Sequence, residues 1–341
     1  MSRRTQPDDR YDVVIVGGGP AGLSAALVLG RARRSTLVID AGRPRNAPAE
    51  HMHGFLSRDG APPGELLAAG REEVRHYGGE VRSGEAVAAR PDPDGFTASL
   101  SDGTEVRARR LLVTAGLVDE LPEVPGLAAR WGRDVLHCPY CHGWEFRDQP
   151  IGVLSTGPLT MHQTLLLRQW TDRLTLLQHT GPRPGDEEAE QLAARGITVV
   201  PGEVAALEVT ADRLTGVRLR DGELVPLRAL AVAPRVVPRA AVLNTLGLEP
   251  VAHPSGAGEH IAADATGRTA LPGVWAAGNI VDPAANVLAA AASGATAAAA
   301  INADLITEDT RRAVAARRAP FSAQSEARLC EQVAGERRHG F

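Results

Sequence analysis

The run Tyr11-Asp12-Val13-Val14-Ile15-Val16, the glycines of Gly17-Gly18-Gly19-Pro20-Ala21-Gly22 and the apolar stretch Leu23–Leu29 together constrain the fold of this chain most strongly. A β-branched apolar run suits a strand buried on both faces, so the order reads strand, tight turn, helix. A second apolar run, Ser35–Ile39, ends on Asp40. That acid lies about 20 residues beyond the glycines, where a βαβ dinucleotide unit places the residue that binds the ribose. In such a unit Gly17 makes the turn, Gly19 lets the backbone approach a pyrophosphate and Gly22 permits close helix packing, with Pro20, Ala21 and Ala41 beside them.

At 341 residues and 43% hydrophobic content the chain is long enough for two globular domains. A net charge of −4 argues against a nucleic-acid partner. Met1–Arg10 is polar, without the apolar core of a secretion signal, and no stretch of transmembrane length is expected to lack charge. The expectation is a soluble cytoplasmic protein. Three cysteines do not make a disulfide scaffold, and in a reducing compartment a CxxC is redox-active or metal-binding.

Leu111–Gly116 reads as a further buried strand closed by Ala115 and Gly116, and Leu121–Gly126 as a crossing into a second unit. There Ile151–Leu154, Met161–Trp170 and Arg173–Leu177 repeat the strand, helix, strand order. From about Leu246 the chain is expected to return to the first unit. The fold class is therefore α/β with two Rossmann-like domains. The first is discontinuous, 1–117 and 245–310; the second, 118–244, is inserted and carries the CxxC; 311–341 is a tail. The stretch from Thr307 is expected to form one or two surface helices or a dimer contact, with Cys330 a simple thiol.

Cys138-Pro139-Tyr140-Cys141 is a pair able to trade between dithiol and disulfide, a two-electron switch. Cys-x-x-Cys-His, ending in His142, is also the c-type haem attachment pattern, but that chemistry belongs to exported proteins. Zinc would need a second ligand pair beside His137, Cys138, Cys141 and His142, and none has suitable spacing. The tetrapeptide also occurs in glutaredoxins, which are small single domains. Pro272–Asn279 and the Ala-rich run 284–303 favour a flavin instead: Asn279, after Gly278, would bond the ribityl chain, and a helix starting near Asn286-Val287 would point its positive end at the ring. His137 and His142 flank the cysteines as candidate bases, His137 preferred; His51, His53 and His162 have no such local warrant.

Together these residues resemble the thioredoxin-reductase-like FAD flavoproteins over roughly residues 10–305. The resemblance implies bound FAD, contacted also by Arg45 and Asn46, with Cys141 as the thiolate facing the flavin, Cys138 as the interchange thiol, and a homodimer. Two departures concern NADPH. The family's GxGxxA after the insert's first strand is here Ser155-Thr156-Gly157-Pro158-Leu159-Thr160, and its His-Arg-Arg after the next strand is Gln178-His179-Thr180, so NADPH is not expected to bind. The acid that follows the second cysteine in thioredoxin reductases is here His142. Cys-Pro-Tyr-Cys-His-Gly is most similar to the FAD-dependent dithiol oxidases that close disulfides in gliotoxin- and holomycin-type natural products. That likeness implies a small dithiol substrate, O2 as acceptor and H2O2 as product, with His137 as base paired with Asn46. A reductase using NADPH or another donor and a flavin-based redox sensor remain open.

Overall fold

The computed structural model describes residues 10–318 and 323–336. Its first sheet has seven strands. Glu80–Ser83, Thr36–Asp40, Arg10–Val16 and Glu105–Val113 lie side by side in parallel, followed by Gly95–Leu100 and Ala86–Asp92 running antiparallel. The nine-residue strand Glu105–Val113 serves two partners along one edge. Its first half pairs antiparallel with Gly95–Leu100, and its second half pairs parallel with Val274–Ala276, Leu111 opposite Val274 and Val113 opposite Ala276. A strand some 160 residues away in sequence thus joins the sheet one strand over from Arg10–Val16, which leads into the glycine turn.

Both faces of this sheet are covered where its central strands run apolar, at Val13–Val16, Leu37–Ile39 and Leu111–Val113. Val14, Val16, Leu37, Ile39, Leu111 and Val113 pack one way, and Val13, Ile15, Val38, Leu112 and Trp275 the other. The second face is closed by the helix Pro20–Arg31 and the 32-residue helix Val287–Arg318, through Ala25, Ala26, Leu29, Ala297, Ala298 and Ile301. Gly294 makes that helix pair possible, since a Cβ there would sit 1.9 Å from the Ala21 carbonyl oxygen.

A two-stranded ribbon, Leu117–Glu120 against Arg235–Pro238, leads out to the second unit and back. That unit holds a five-stranded parallel sheet in the order Thr198–Val200, Leu174–Leu177, Ile151–Leu154, Ala229–Val232, Val135–Leu136, with an antiparallel sheet of Val204–Thr210, Arg213–Leu219 and Leu224–Pro226 packed on one face. The helices Thr160–Leu167 and Asp186–Ala194 cover the other through Leu167 and Leu192.

Three expectations need adjustment. Ala240, Val242 and Leu243 already belong to the core of the first sheet, so the chain returns a few residues before 245. The tail does not begin as a separate element, because Val287–Arg318 continues straight through residue 311, held by Arg34, Arg109 and Arg110 against Asp304, Glu308 and Asp309; a second helix follows at Ala323–Glu336. Residues 283–303 carry no charge, contrary to the expectation that no such stretch exists. The helix that takes up most of them, Val287–Arg318, is long and apolar enough to cross a membrane, with mean hydropathy 1.2 over 18 residues, but here one of its faces packs on Pro20–Arg31.

Candidate active site

The strand Arg10–Val16 delivers the backbone into the glycine turn, where Gly17 adopts φ +114° with its Cβ position 2.4 Å from the Thr114 carbonyl oxygen. Gly22 is closed just as tightly, 1.9 Å from the Gly17 carbonyl oxygen. Gly19, by contrast, has nothing within 4 Å of where a Cβ would stand, and it caps the N-terminus of the Pro20–Arg31 helix. The turn is thus packed hard on the protein side and open on the other, with helix N–H groups directed outward, the form of a pyrophosphate cradle.

Asp40 ends the neighbouring strand, and its carboxylate accepts hydrogen bonds from the Gly42 N–H at 2.9 Å and Arg71 Nη2 at 3.1 Å. Asn286 caps the long helix by accepting the Ala289 N–H at 2.8 Å, so that helix begins at the same opening as the cradle. Asn279 borders the opening as well. Its Nδ2 donates to the carbonyls of Asp282 at 3.1 Å and Ala285 at 2.8 Å, closing its own loop instead of reaching outward.

Cradle and cysteines share one cleft of about 680 Å³. Gly17, Gly19, Pro20, Ala21, Asp40, Ala41, Arg45, Asn46, Ala115, Gly116, Gly278, Asn279, Asn286 and Val287 border it, as do His137, Cys138 and Cys141. Gly22 lies behind the turn. The cysteines sit on a single turn of helix, Pro139–His142, with Cys138 at its N-cap and Pro139 as first residue, a position that suits proline's fixed φ.

The two thiols are unequal. Cys138 receives a hydrogen bond from the Cys141 thiol and further ones from the backbone N–H groups of Cys141 and Tyr140, which together overcome burial and lower its pKa to about 7. Cys141, as the donor and also buried, is pushed far upward. In the dithiol the hydrogen-bond donors therefore converge on Cys138. Cys141 can take up charge once Cys138 is bound in a disulfide, because both its hydrogen bond to Cys138 and that neighbouring charge are then gone, while Arg45 still favours its ionised form.

Arg45 reaches this point from the first unit. It binds Asp119 through two hydrogen bonds, 2.9 Å and 2.7 Å, and the Pro283 carbonyl at 3.1 Å. His137 borders the same cleft. Its Nδ1 is buried without a partner, the Val232 backbone hydrogen-bonds the ring, and Gln163 Nε2 holds its carbonyl at 2.8 Å. Burial, aided by Arg45, lowers its pKa. No hydrogen bond joins it to Asn46 among the described residues, although both border the cleft.

The family model for pyridine nucleotide-disulphide oxidoreductases matches residues 11–301. The chain belongs to this family. Among similar pyridine nucleotide-disulphide oxidoreductases, the thioredoxin reductase sirT of Leptosphaeria maculans is 31% identical, across 86% of this chain and 93% of that protein. The thioredoxin reductase tcpT of Claviceps purpurea is 33% identical across 70% and 78%. The crystal structure of HlmI superposes with a TM-score of 0.85 at 47% identity, covering 90% of this chain and 96% of that one. An oxidoreductase from Agrobacterium tumefaciens follows with a TM-score of 0.82 at 36% identity, covering 87% and 99%. This member is thus a thioredoxin-reductase-like FAD disulfide oxidoreductase, and its open Gly19 and capped helix fit the pyrophosphate of that cofactor.

The second nucleotide loop of the family is altered here. Ser155 is buried, and a Cβ on Gly181 would sit 2.0 Å from its Oγ. Thr160 Oγ1 donates to the Gly157 carbonyl at 2.8 Å at the start of the helix Thr160–Leu167, Thr156 Oγ1 donates to that of Ala233 at 3.4 Å, and Gly157 has open space on its Cβ side. His179, at φ +44°, accepts the Val204 N–H at 3.1 Å. The tertiary structure also brings to the cleft residues that no local pattern singled out: Asp119, Gln163, His51, His53, His162 and His253. Single histidines and glutamines carry no spacing signal, and only the chain path collects them.

Proposed function

We propose that the protein is a dithiol oxidase that closes an intramolecular disulfide in a small-molecule substrate, with dioxygen as acceptor and hydrogen peroxide as product. The observation that carries this reading is the Cys138–Cys141 turn opening into the cleft that holds the FAD cradle, while the insert's own nucleotide loop carries Ser155 and Thr160 where the family has glycine and alanine. Bound FAD would supply two-electron acceptance from the cysteine pair and delivery to dioxygen.

The chain's part is thiol exchange. With the pair oxidised, a substrate thiolate attacks Cys138 Sγ and Cys141 leaves as thiolate, its charge favoured by Arg45. The second substrate thiol then attacks the mixed disulfide at the substrate sulfur, which releases Cys138 and closes the product ring. Backbone N–H groups of Tyr140 and Cys141 stabilise the departing Cys138 thiolate, so the second exchange is driven by a good leaving group.

Relatives named thioredoxin reductase support the reverse direction as a second reading, with electrons from NADPH or another donor. Aerobic incubation of the holoenzyme with a panel of small dithiols, with and without nicotinamide cofactors, separates the two. Peroxide formed without any nicotinamide supports the oxidase, whereas rapid flavin bleaching by NADPH under anaerobic conditions overturns it.

A further inference from the structure

His142 stands in a different environment from His137. It closes the turn Pro139–His142, and its backbone N–H donates to the Cys138 carbonyl at 3.2 Å. Residues four apart share a helix face, and a helical side chain leans back over the preceding turn, which sets His142 on the face that carries Cys138. The ring borders the cleft and is half-buried. Among the described residues it makes no hydrogen bond, and neither of its nitrogens is sealed away as Nδ1 of His137 is. Burial lowers its pKa, opposed by Glu145 and reinforced by His53, so the ring is neutral at pH 7 and able to take a proton.

The charged groups that act on His142 are Glu145 and His53, which belong to a row of titratable residues of their own. His53 faces Glu145 Oε1 through Nε2 at 3.5 Å and Asp59 Oδ2 through Nδ1 at 3.3 Å. The Gly54 N–H fixes the other Asp59 oxygen at 2.8 Å, and the His51 ring lies 6.5 Å from that of His53. His53 is 24% exposed, Glu145 40% and Asp59 65%, so His53 is the most sheltered member of the row. His53 and Asp59 come from the first unit and Glu145 from the segment after the cysteines, so the row exists only in the folded two-unit arrangement.

We propose that His142 is the catalytic base that accepts the proton of the substrate thiol. The inference rests on the dithiol-oxidase reading and adds its base. In the step concerned the substrate S–H bond breaks and its proton goes to an open ring nitrogen of His142. The thiolate forms a bond to Cys138 Sγ as the Cys138–Cys141 bond breaks, with its electron pair leaving on Cys141. The disulfide is the oxidant, and His142 returns to neutrality by losing the proton to water.

Anaerobic stopped-flow mixing of oxidised holoenzyme with dithiothreitol, followed by flavin bleaching between about pH 6 and about 10, brackets the thiol pKa and tests the assignment. His142→Gln is expected to slow bleaching at neutral pH by about a hundredfold, the scale of general-base catalysis, and to recover most of the loss at the alkaline end, where the dithiol ionises unaided. Added imidazole should restore the rate of His142→Ala, which separates a missing base from a damaged fold. His137→Gln should lower the rate without changing the shape of the pH profile. A wild-type profile in His142→Gln, or a flattened profile in His137→Gln in its place, overturns the assignment. If no dithiol bleaches the wild-type flavin, the oxidase reading itself falls; a bleaching wild type with an unaffected His142→Gln removes only the base.

Discussion

Arg45 and Asp119 are joined by two parallel hydrogen bonds, Nε to Oδ2 at 2.9 Å and Nη2 to Oδ1 at 2.7 Å, at the point where the ribbon leaves the first unit beside the redox pair. The Asp119 side chain is 9% exposed, so the pair is largely dry. Removing one partner of such a pair strands the other. Arg45→Met is expected to cost about 3–5 kcal/mol in urea unfolding, and Arg45→Met with Asp119→Leu to recover most of it. Both variants lose the positive charge that favours the Cys138 thiolate, so the Cys138 pKa should rise in the double variant even where stability returns. Thiolate absorbance against pH reads this directly.

The acidity of Cys138 comes first from the Cys141 thiol and then from two backbone N–H groups. Iodoacetamide at neutral pH should therefore alkylate Cys138 before Cys141 in the reduced protein, as peptide mapping would show. A Cys141→Ala variant, which removes the donor, should raise the Cys138 pKa above about 7.

That shift also has a sign in stability. The folded pKa of Cys138 lies below that of an unperturbed thiol, so ionisation stabilises the reduced fold fully above the ordinary thiol range, and the contribution fades as pH falls towards about 7. Thermal unfolding of the reduced protein, compared with Cys138→Ser across this window, should show the gap closing on the acid side.

Gly294 meets Ala21 at the contact between the two helices behind the cradle. Gly294→Ala would press a methyl group into the Ala21 carbonyl, and the backbone that moves is the one facing the cofactor. Overpacking of this kind costs about 1–3 kcal/mol or more, so the variant should lose most of its FAD on gel filtration and melt earlier.

Arg130 is buried, with its guanidinium on Asp134 and Asp212; Asp134 also accepts the Leu214 N–H at 2.8 Å. Arg130→Leu leaves the buried Asp134 charge uncompensated inside the second unit. A loss of about 3–5 kcal/mol in urea unfolding is expected, with the flavin spectrum unchanged because the first unit is untouched.

The local parts of this protein were legible residue by residue. Strand, glycine turn and helix follow from β-branched runs, from a Gly17 that needs positive φ, and from a proline at the first helical position. Cys138 and Cys141 announce their chemistry by spacing alone. All of these are properties of a few consecutive residues, set by steric and hydrogen-bonding preferences that act within one turn or one strand.

What only the tertiary structure decided lies between segments far apart in the chain. The sequence could not tell that Asn279 would close its own loop, that Val232 and Gln163 would tie His137, that Arg45 would meet Asp119, or that His53 and Glu145 would line up beside His142. Each outcome depends on which surfaces the packed sheets bring together and on how much water remains there. Desolvation and distant charges, not spacing, set the protonation and orientation of these groups, and neither is written in the residues next to them.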